Sequence, residues 1–270
     1  IIIKGTLNAI GTELNPINLR AIEGTWKGLY VLNASKQSYL KHVMISDISA
    51  TEDGLLKLTG GLTFYKSDVL IENIEIQNVL AEDALNIVES KFILDSVLVK
   101  DTISDGLDSD FSDGTILNSE FSDIGGDALD FSGSIVSIDK TKVFDTRDKA
   151  VSGGEKSTLT ISDSSFFDIG VGIASKDGSF VTVTGTEILD YQLHGAMAYR
   201  KKSFYDTPSL TINDTIISGA VNQPFMRESG ASMMVNGLEV PETQINVENL
   251  YESEVMSKWN QTIGMKLNLF

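Results

Sequence analysis

Asp83-Ala84-Leu85-Asn86, Asp105-Gly106-Leu107-Asp108, Asp127-Ala128-Leu129-Asp130, Lys149-Ala150-Val151-Ser152 and Val171-Gly172-Ile173-Ala174 share one layout. The apolar third residue returns every 22 positions, at 85, 107, 129, 151 and 173. Self-similarity at a fixed period of this length marks a solenoid. Two further apolar rows keep nearly the same step. Val99, Phe121 and Val143 continue through Phe166 and Ile188 after a one-residue slip, and Ile116, Ile138, Ile161 and Val183 form the other. Each turn thus carries three short apolar runs separated by corners of Gly, Ser, Asp and Asn, which describes a three-sided coil.

Helical solenoids need two helices per repeat. β-Branched, period-2 runs such as Thr158-Leu159-Thr160-Ile161 and Val181-Thr182-Val183 cannot supply them in 22 residues. The leucine and asparagine spacing of a leucine-rich repeat is missing. The pattern therefore predicts an all-β chain folded as a right-handed parallel β-helix, with three strands per coil and about ten coils by extrapolation of the 22-residue period. Coils stacked about 4.7–4.9 Å apart place residues one period apart directly above one another. The small residues Ala84, Gly106, Ala128, Ala150 and Gly172 suit a crowded corner beside a strand. Residues 1–270 read as a single domain: irregular N-terminal coils over 1–60, regular coils over 61–205, and C-terminal coils with a cap over 206–270. A polar insertion, Arg200 to Asp206, lengthens one coil, and an amphipathic helix over Glu252–Trp259 is expected to close the open end.

The chain has 270 residues, no cysteine and a formal net charge of −17. Zero cysteine excludes disulfides, thiolate metal sites and cysteine nucleophiles, so any metal would be a hard cation held by oxygen or one without protein-sulfur ligands. The acidic balance argues against nucleic acid, whose phosphates are held by clustered Lys and Arg. No run approaches the ~20 apolar residues of a membrane-spanning helix. Ile1 already sits in a strand-like run with no leader before it, and the chain reads as part of a longer protein.

A fixed period turns sequence spacing into a statement about space. Asn86, Asp108 and Asp130 flank the inward leucine row and point outward by alternation. Asp83, Asp105, Asp127 and then Lys149 occupy the corner before that strand. Asp110 and Asp113 share these coils, whereas Arg147, Lys149, Lys176, Arg200, Lys201 and Lys202 lie on later ones, so an acidic patch passes along the axis into a basic one. Carboxylates about 5 Å apart repel, which a proton, a base or a cation must relieve. One reading is a Ca²⁺ site made by Asp105, Asp108, Asp127 and Asp130, with Asp110 as an extra ligand. The other is that these acids make corner hydrogen bonds, with Asp127 paired to Lys149 and Lys176 paired to Glu155. The basic part, Lys149, Lys176, Arg200 and Lys201, with Tyr199 as a stacking platform, is the expected contact surface for an acidic glycan.

Other chemistry has little support. His42 lies in an apolar run and reads as structural. No Gly-x-Ser-x-Gly is present, and the sequons at Asn33, Asn213 and Asn260 are short enough to arise by chance.

The segments Glu82 to Asn86, Gly125 to Ser134, Asp148 to Ser157, Gly172 to Ser179 and Tyr199 to Lys202 resemble the pectin-lyase-like right-handed β-helix superfamily. Within it they are most similar to a bacterial β-helix module found in large surface proteins with spore-coat-H-type kinase domains. The resemblance implies an extracellular or cell-surface module that binds glycan or spaces other domains. The alternative it implies is a Ca²⁺-assisted lyase or epimerase of acidic sugars, although the Gly-His-Gly turn of polygalacturonase-like members and the Asp-Pro-His motif of epimerase-like members are both absent here. Catalytic residues are not assignable from the sequence.

Overall fold

The computed structural model describes residues 1–53, 56–219 and 223–244. These residues form parallel strands wound into a solenoid of about nine coils, and they contain no helix. The expected helix over Glu252–Trp259 and the sequon at Asn260 lie outside the described residues.

The expected leucine row is one continuous interior stack. Leu29 pairs with Leu62, which is followed coil by coil by Leu85, Leu107, Leu129, Val151, Ile173 and Ala196. All lie in the core. The other two rows stack in the same way, Val99 on Phe121 and Val143, and Ile116 on Ile138, Ile161 and Val183. The first face of the prism is built from Gly60–Tyr65, Asp83–Val88, Asp105–Asp110 and Leu129–Ser132, then from the far ends of Lys142–Gly154, Ser165–Lys176 and Glu187–Tyr199. Close stacking explains the small corner residues: a Cβ on Gly172 would come within 2.2 Å of the Gly195 carbonyl oxygen.

Each coil must turn three times, and three columns of left-handed residues do the turning. One runs through Asn33, Lys66, Glu89, Phe111, Gly133, Lys156 and Gly178. A second includes Asn73, Ser96, Asn118, Lys140, Asp163, Gly185 and Asp214. The third is Asp47, Asn78, Asp101, Asp123, Asp145, Asp168 and Asp190. L-residues resist this conformation by roughly 1–2 kcal/mol, and Asp, Asn and Gly tolerate it best. Much of the acidity is thus corner chemistry.

In the first column a serine follows the turning residue in six successive coils: Ser67, Ser90, Ser112, Ser134, Ser157 and Ser179. Each hydroxyl accepts the backbone N–H from the coil before it, Ser67 N–H to Ser90 Oγ at 2.8 Å, then Ser90 to Ser112, Ser112 to Ser134, Ser134 to Ser157 and Ser157 to Ser179 at 3.0–3.1 Å. Ser67, Ser90 and Ser112 also donate back to the carbonyl two residues earlier. Corner amides that no strand can pair are thereby satisfied inside the structure. Replacing Ser134 by Ala should strand the Ser112 N–H in a buried corner and destabilise the fold by about 1–3 kcal/mol. Urea unfolding of the variant against the parent measures it.

Candidate functional site

The outward side of the first face gathers the polar groups. One outward row reads Thr63, Asn86, Asp108, Asp130 and Ser152, and the next reads Tyr65, Val88, Asp110, Ser132 and Gly154, each paired in register with its neighbour above. Asn86 Nδ2 donates to Asp108 Oδ2 at 3.3 Å. Lys176 Nζ lies 3.8 Å from Asp130 Oδ1.

The corner acids behave differently. Asp105 Oδ1 accepts the Asp127 N–H at 2.8 Å, and Asp127 Oδ1 accepts the Lys149 N–H at 3.0 Å. Each carboxylate therefore caps the next coil. Lys149 is buried, with its ammonium 3.1 Å from Asp127 and 2.6 Å from Asp148. For Asp127 and Lys149 the structure shows the corner-bond arrangement, one of the two anticipated from sequence.

Crowding of acids in a water-poor place disturbs their titration. Burial pushes Asp108 up to about 9, and the charges of Asp83, Asp110 and Asp130 add to this. Asp83 is raised to about 7, mainly by burial, against a hydrogen bond from Thr59. Burial also holds Asp105 well above the carboxylate range, with Asp127 and Asp130 reinforcing it. Asp110 rises for the same first reason, then through Asp130 and Glu155. Asp127 rises by burial while Lys149 opposes it. Lys201 responds in the opposite sense: burial, then Lys176 and Lys149, lower it, whereas the Glu155 partner raises Lys202.

Several expected contact residues prove to be occupied elsewhere. Tyr199 is 0% exposed, packed with Val171, Ala174, Met197 and Met226 in a small apolar cluster separate from the main core, so its ring offers no face for stacking a sugar. Strands of neighbouring coils supply this packing, Val171 and Ala174 from the coil before and Met226 from the coil after. Lys176 faces Asp130, whereas Glu155 is ion-paired to Lys202, in place of the anticipated Lys176–Glu155 pair. Lys202 is set by its backbone N–H, which donates to Asp177 at 2.7 Å. Arg200 is anchored through its N–H to Glu228. His194 Nδ1 lies 3.0 Å from the Gln223 carbonyl, and burial lowers its pKa. Among the described residues no group of three or more His, Cys, Asp or Glu side chains comes together to hold a metal ion. The acids Asp105, Asp108, Asp110, Asp127 and Asp130 share a face but are spread over strand and corner positions of successive coils.

Thr63 was not singled out from the sequence, while Asn86, Asp83 and Lys202 were named only as members of their rows and not as site residues. Asn86 and Asp83 were visible in the repeat as members of the two rows. Thr63 and Lys202 lie next to irregular coils, where the 22-residue step no longer applies.

At the upstream end of the face a cavity of about 320 Å³ opens between Leu32, Leu58, Thr59, Thr63, Tyr65, Asn86 and Val88. An antiparallel hairpin, Thr51–Asp53 with Leu56–Leu58, leads into that wall. At the downstream end the Arg200 to Asp206 insertion forms the other boundary.

Residues 60–249 match the family described as the right-handed β-helix region. The chain belongs to that family. Its fold is similar to the enzymatically active domain of tailspike protein 2 from bacteriophage CBA120, at 11% identity and a TM-score of 0.48, covering 91% of this chain and 49% of that one. It is similar also to the A-module of the mannuronan C-5 epimerase of Azotobacter vinelandii, at 12% identity and a TM-score of 0.47, with 88% of each chain covered. A third is the catalytic domain of a GH87 α-1,3-glucanase, at 10% identity and a TM-score of 0.43, covering 91% and 62%. This β-helix spans about half the length of the tailspike domain. At these identities the likeness is one of fold. No curated protein matches the sequence.

The raised carboxyls give stability a definite pH dependence. A group whose pKa is higher folded than unfolded keeps its full contribution below the unfolded value, about 4, and loses it as pH rises through the folded value. For Asp83 and Asp108 those folded values are about 7 and about 9. The melting temperature should therefore fall as pH rises from about 5 to about 9, and Asp108→Asn should flatten the slope and raise Tm at the alkaline end. The gain expected is about 2–4 °C per kcal/mol recovered. Melting curves of both proteins across this range check it.

Proposed function

We propose that the outward side of the first face binds a glycan, and that the module acts at or outside a cell surface, where such polymers are met. The observation that carries this reading is the outward row of hydrogen-bonding side chains Thr63, Asn86, Asp108 and Asp130, in strand register and bounded by a wall at each end. Sugar hydroxyls both donate and accept. A protonated carboxyl at Asp108 can donate as well as accept, an amide at Asn86 does both, and the Asp130–Lys176 pair adds an acceptor and a donor. A rigid sheet holds these groups without an ordering cost at binding. The array suits a hydroxyl-rich ligand better than an anionic one, since the nearby ammonium groups of Lys149 and Lys176 already face Asp127, Asp148 and Asp130.

The Ca²⁺-assisted lyase or epimerase reading asks more of the same acids. Asp105 and Asp127 have each committed an oxygen to a backbone N–H, and in the reading favoured here the repulsion among the stacked acids is relieved by protonation. Native-state metal binding would raise the melting temperature as free Ca²⁺ rises. We expect superimposable melting curves in Ca²⁺ and in chelator, and a Ca²⁺-dependent rise would restore the metal reading.

For the glycan reading, affinity electrophoresis through a panel of neutral and acidic polysaccharides is the direct assay. At least one should retard the chain, and Asp108→Ala combined with Asp130→Ala should weaken that binding by about tenfold or more, the equivalent of ~1.4 kcal/mol. Incubating the same polysaccharides with the chain and measuring new chain ends separates binding from cleavage. If no polysaccharide is retained, the module is a spacer.

A further inference from the structure

The cavity at the upstream end of the first face is a different kind of place from the acid row beside it. Leu32, Leu58 and Val88 give it apolar walls, Tyr65 adds a ring, and Thr63 and Asn86 supply the polar groups. Its volume, about 320 Å³, lies at the small end of the ~300–1,000 Å³ typical of small-molecule sites, which suits one compact unit and not a length of polymer. Apolar walls with a few placed hydrogen-bonding groups match the surface of a pyranose, whose ring carries C–H patches as well as hydroxyls.

Thr63 marks the cavity as unfinished. The residue is only 6% exposed, and its Oγ1 is buried without a hydrogen-bond partner. An orphaned hydroxyl of this kind disfavours folding. A 120° turn about χ1 carries Oγ1 to the place held by Cγ2 or Hβ, and this rotamer change is the step that would present the hydroxyl to a ligand. Asn86, also on the cavity wall, is bonded to Asp108 and so joins the cavity to the acid row.

An anionic ligand finds no counter-charge in this cavity: no Lys, Arg or His is among its lining residues, and Asp83 and Asp108 nearby are carboxyls, not cations. The neighbouring Lys66 is ion-paired to Glu89 at 3.3 Å and lies over the Tyr65 ring at 5.2 Å.

From the apolar walls, the unpartnered Thr63 hydroxyl and the absence of any cation from the lining, we propose that this cavity takes a single uncharged sugar unit of the bound glycan and rejects uronates. The inference rests on the glycan reading above and names the class of sugar that this end of the site selects.

Saturation-transfer NMR with the methyl glycosides of glucose, galactose and mannose, and with those of glucuronate and galacturonate, tests it on the full chain. At least one neutral glycoside should bind, with the uronates at least about tenfold weaker. Val88→Trp fills the cavity and should abolish the transfer. Thr63→Val removes the orphaned hydroxyl at nearly constant volume. It should weaken binding roughly fivefold, the loss of one hydrogen bond, while Tm stays level or rises. The proposal is overturned if no neutral glycoside binds, if uronates bind equally well, or if Val88→Trp leaves binding intact in a variant with the parent circular dichroism spectrum. The two readings fail separately. A polysaccharide still held through Asp108 and Asp130, in a chain whose hexoside binding ignores Val88→Trp, removes the cavity and keeps the glycan face.

Discussion

The structure depends on stacking each coil on the last through parallel backbone hydrogen bonds, and that demands three sharp turns in about 22 residues. Every turn places a residue in the left-handed region and leaves corner amides without a strand partner. Asp and Asn meet the first requirement throughout the third corner, and Asp, Asn and Gly at most of the second, whereas Lys66, Glu89, Phe111 and Lys156 adopt it at the first; the serines that follow the first corner meet the second requirement. Because each hydroxyl accepts from the preceding coil, a corner is completed only when its neighbour is in place. Stability is therefore cooperative along the axis, as expected for a quasi-one-dimensional fold.

The same constraint explains the charge. Asp101, Asp123, Asp145, Asp168 and Asp190 form an exposed column at the third corner, where short polar side chains tolerate the backbone and water screens their repulsion. The acids of the first face have no such relief. Register brings them together on a half-buried sheet, so burial and mutual repulsion act jointly and raise their pKa values. An acid used for geometry at one corner thus becomes, on the neighbouring face, a group with unusual chemistry.

Irregular coils border that face on both sides. The paired strands Thr51–Asp53 and Leu56–Leu58 and the insertion at 200–206 each interrupt the period without interrupting the strand ladder, since Leu29 still pairs with Leu62 and Val181 with Leu210. A solenoid tolerates such excursions because loop closure grows only slowly with length. The regular coils supply a flat, rigid array, and the irregular ones give it ends.

The sequence by itself determined the fold class, the interior rows and the outward row of Asn86, Asp108 and Asp130, because a repeating period leaves little freedom once one face is buried. Leu85, Leu107, Leu129, Val151 and Ile173 could be placed from spacing alone, and so could the stacking of Asp108 on Asp130. Tertiary structure decided the fate of the charges. Asp105 and Asp127 became caps, Lys149 and Lys176 became partners of acids, and Tyr199 was buried against Val171, Ala174, Met197 and Met226. Spacing says which residues are neighbours along the axis, but whether a polar group faces water, a backbone amide or another side chain depends on rotamers and on loops that do not repeat. Only the folded chain fixes those, which is why the cavity around Thr63 and the ion pair between Lys202 and Glu155 had no counterpart in the periodic pattern.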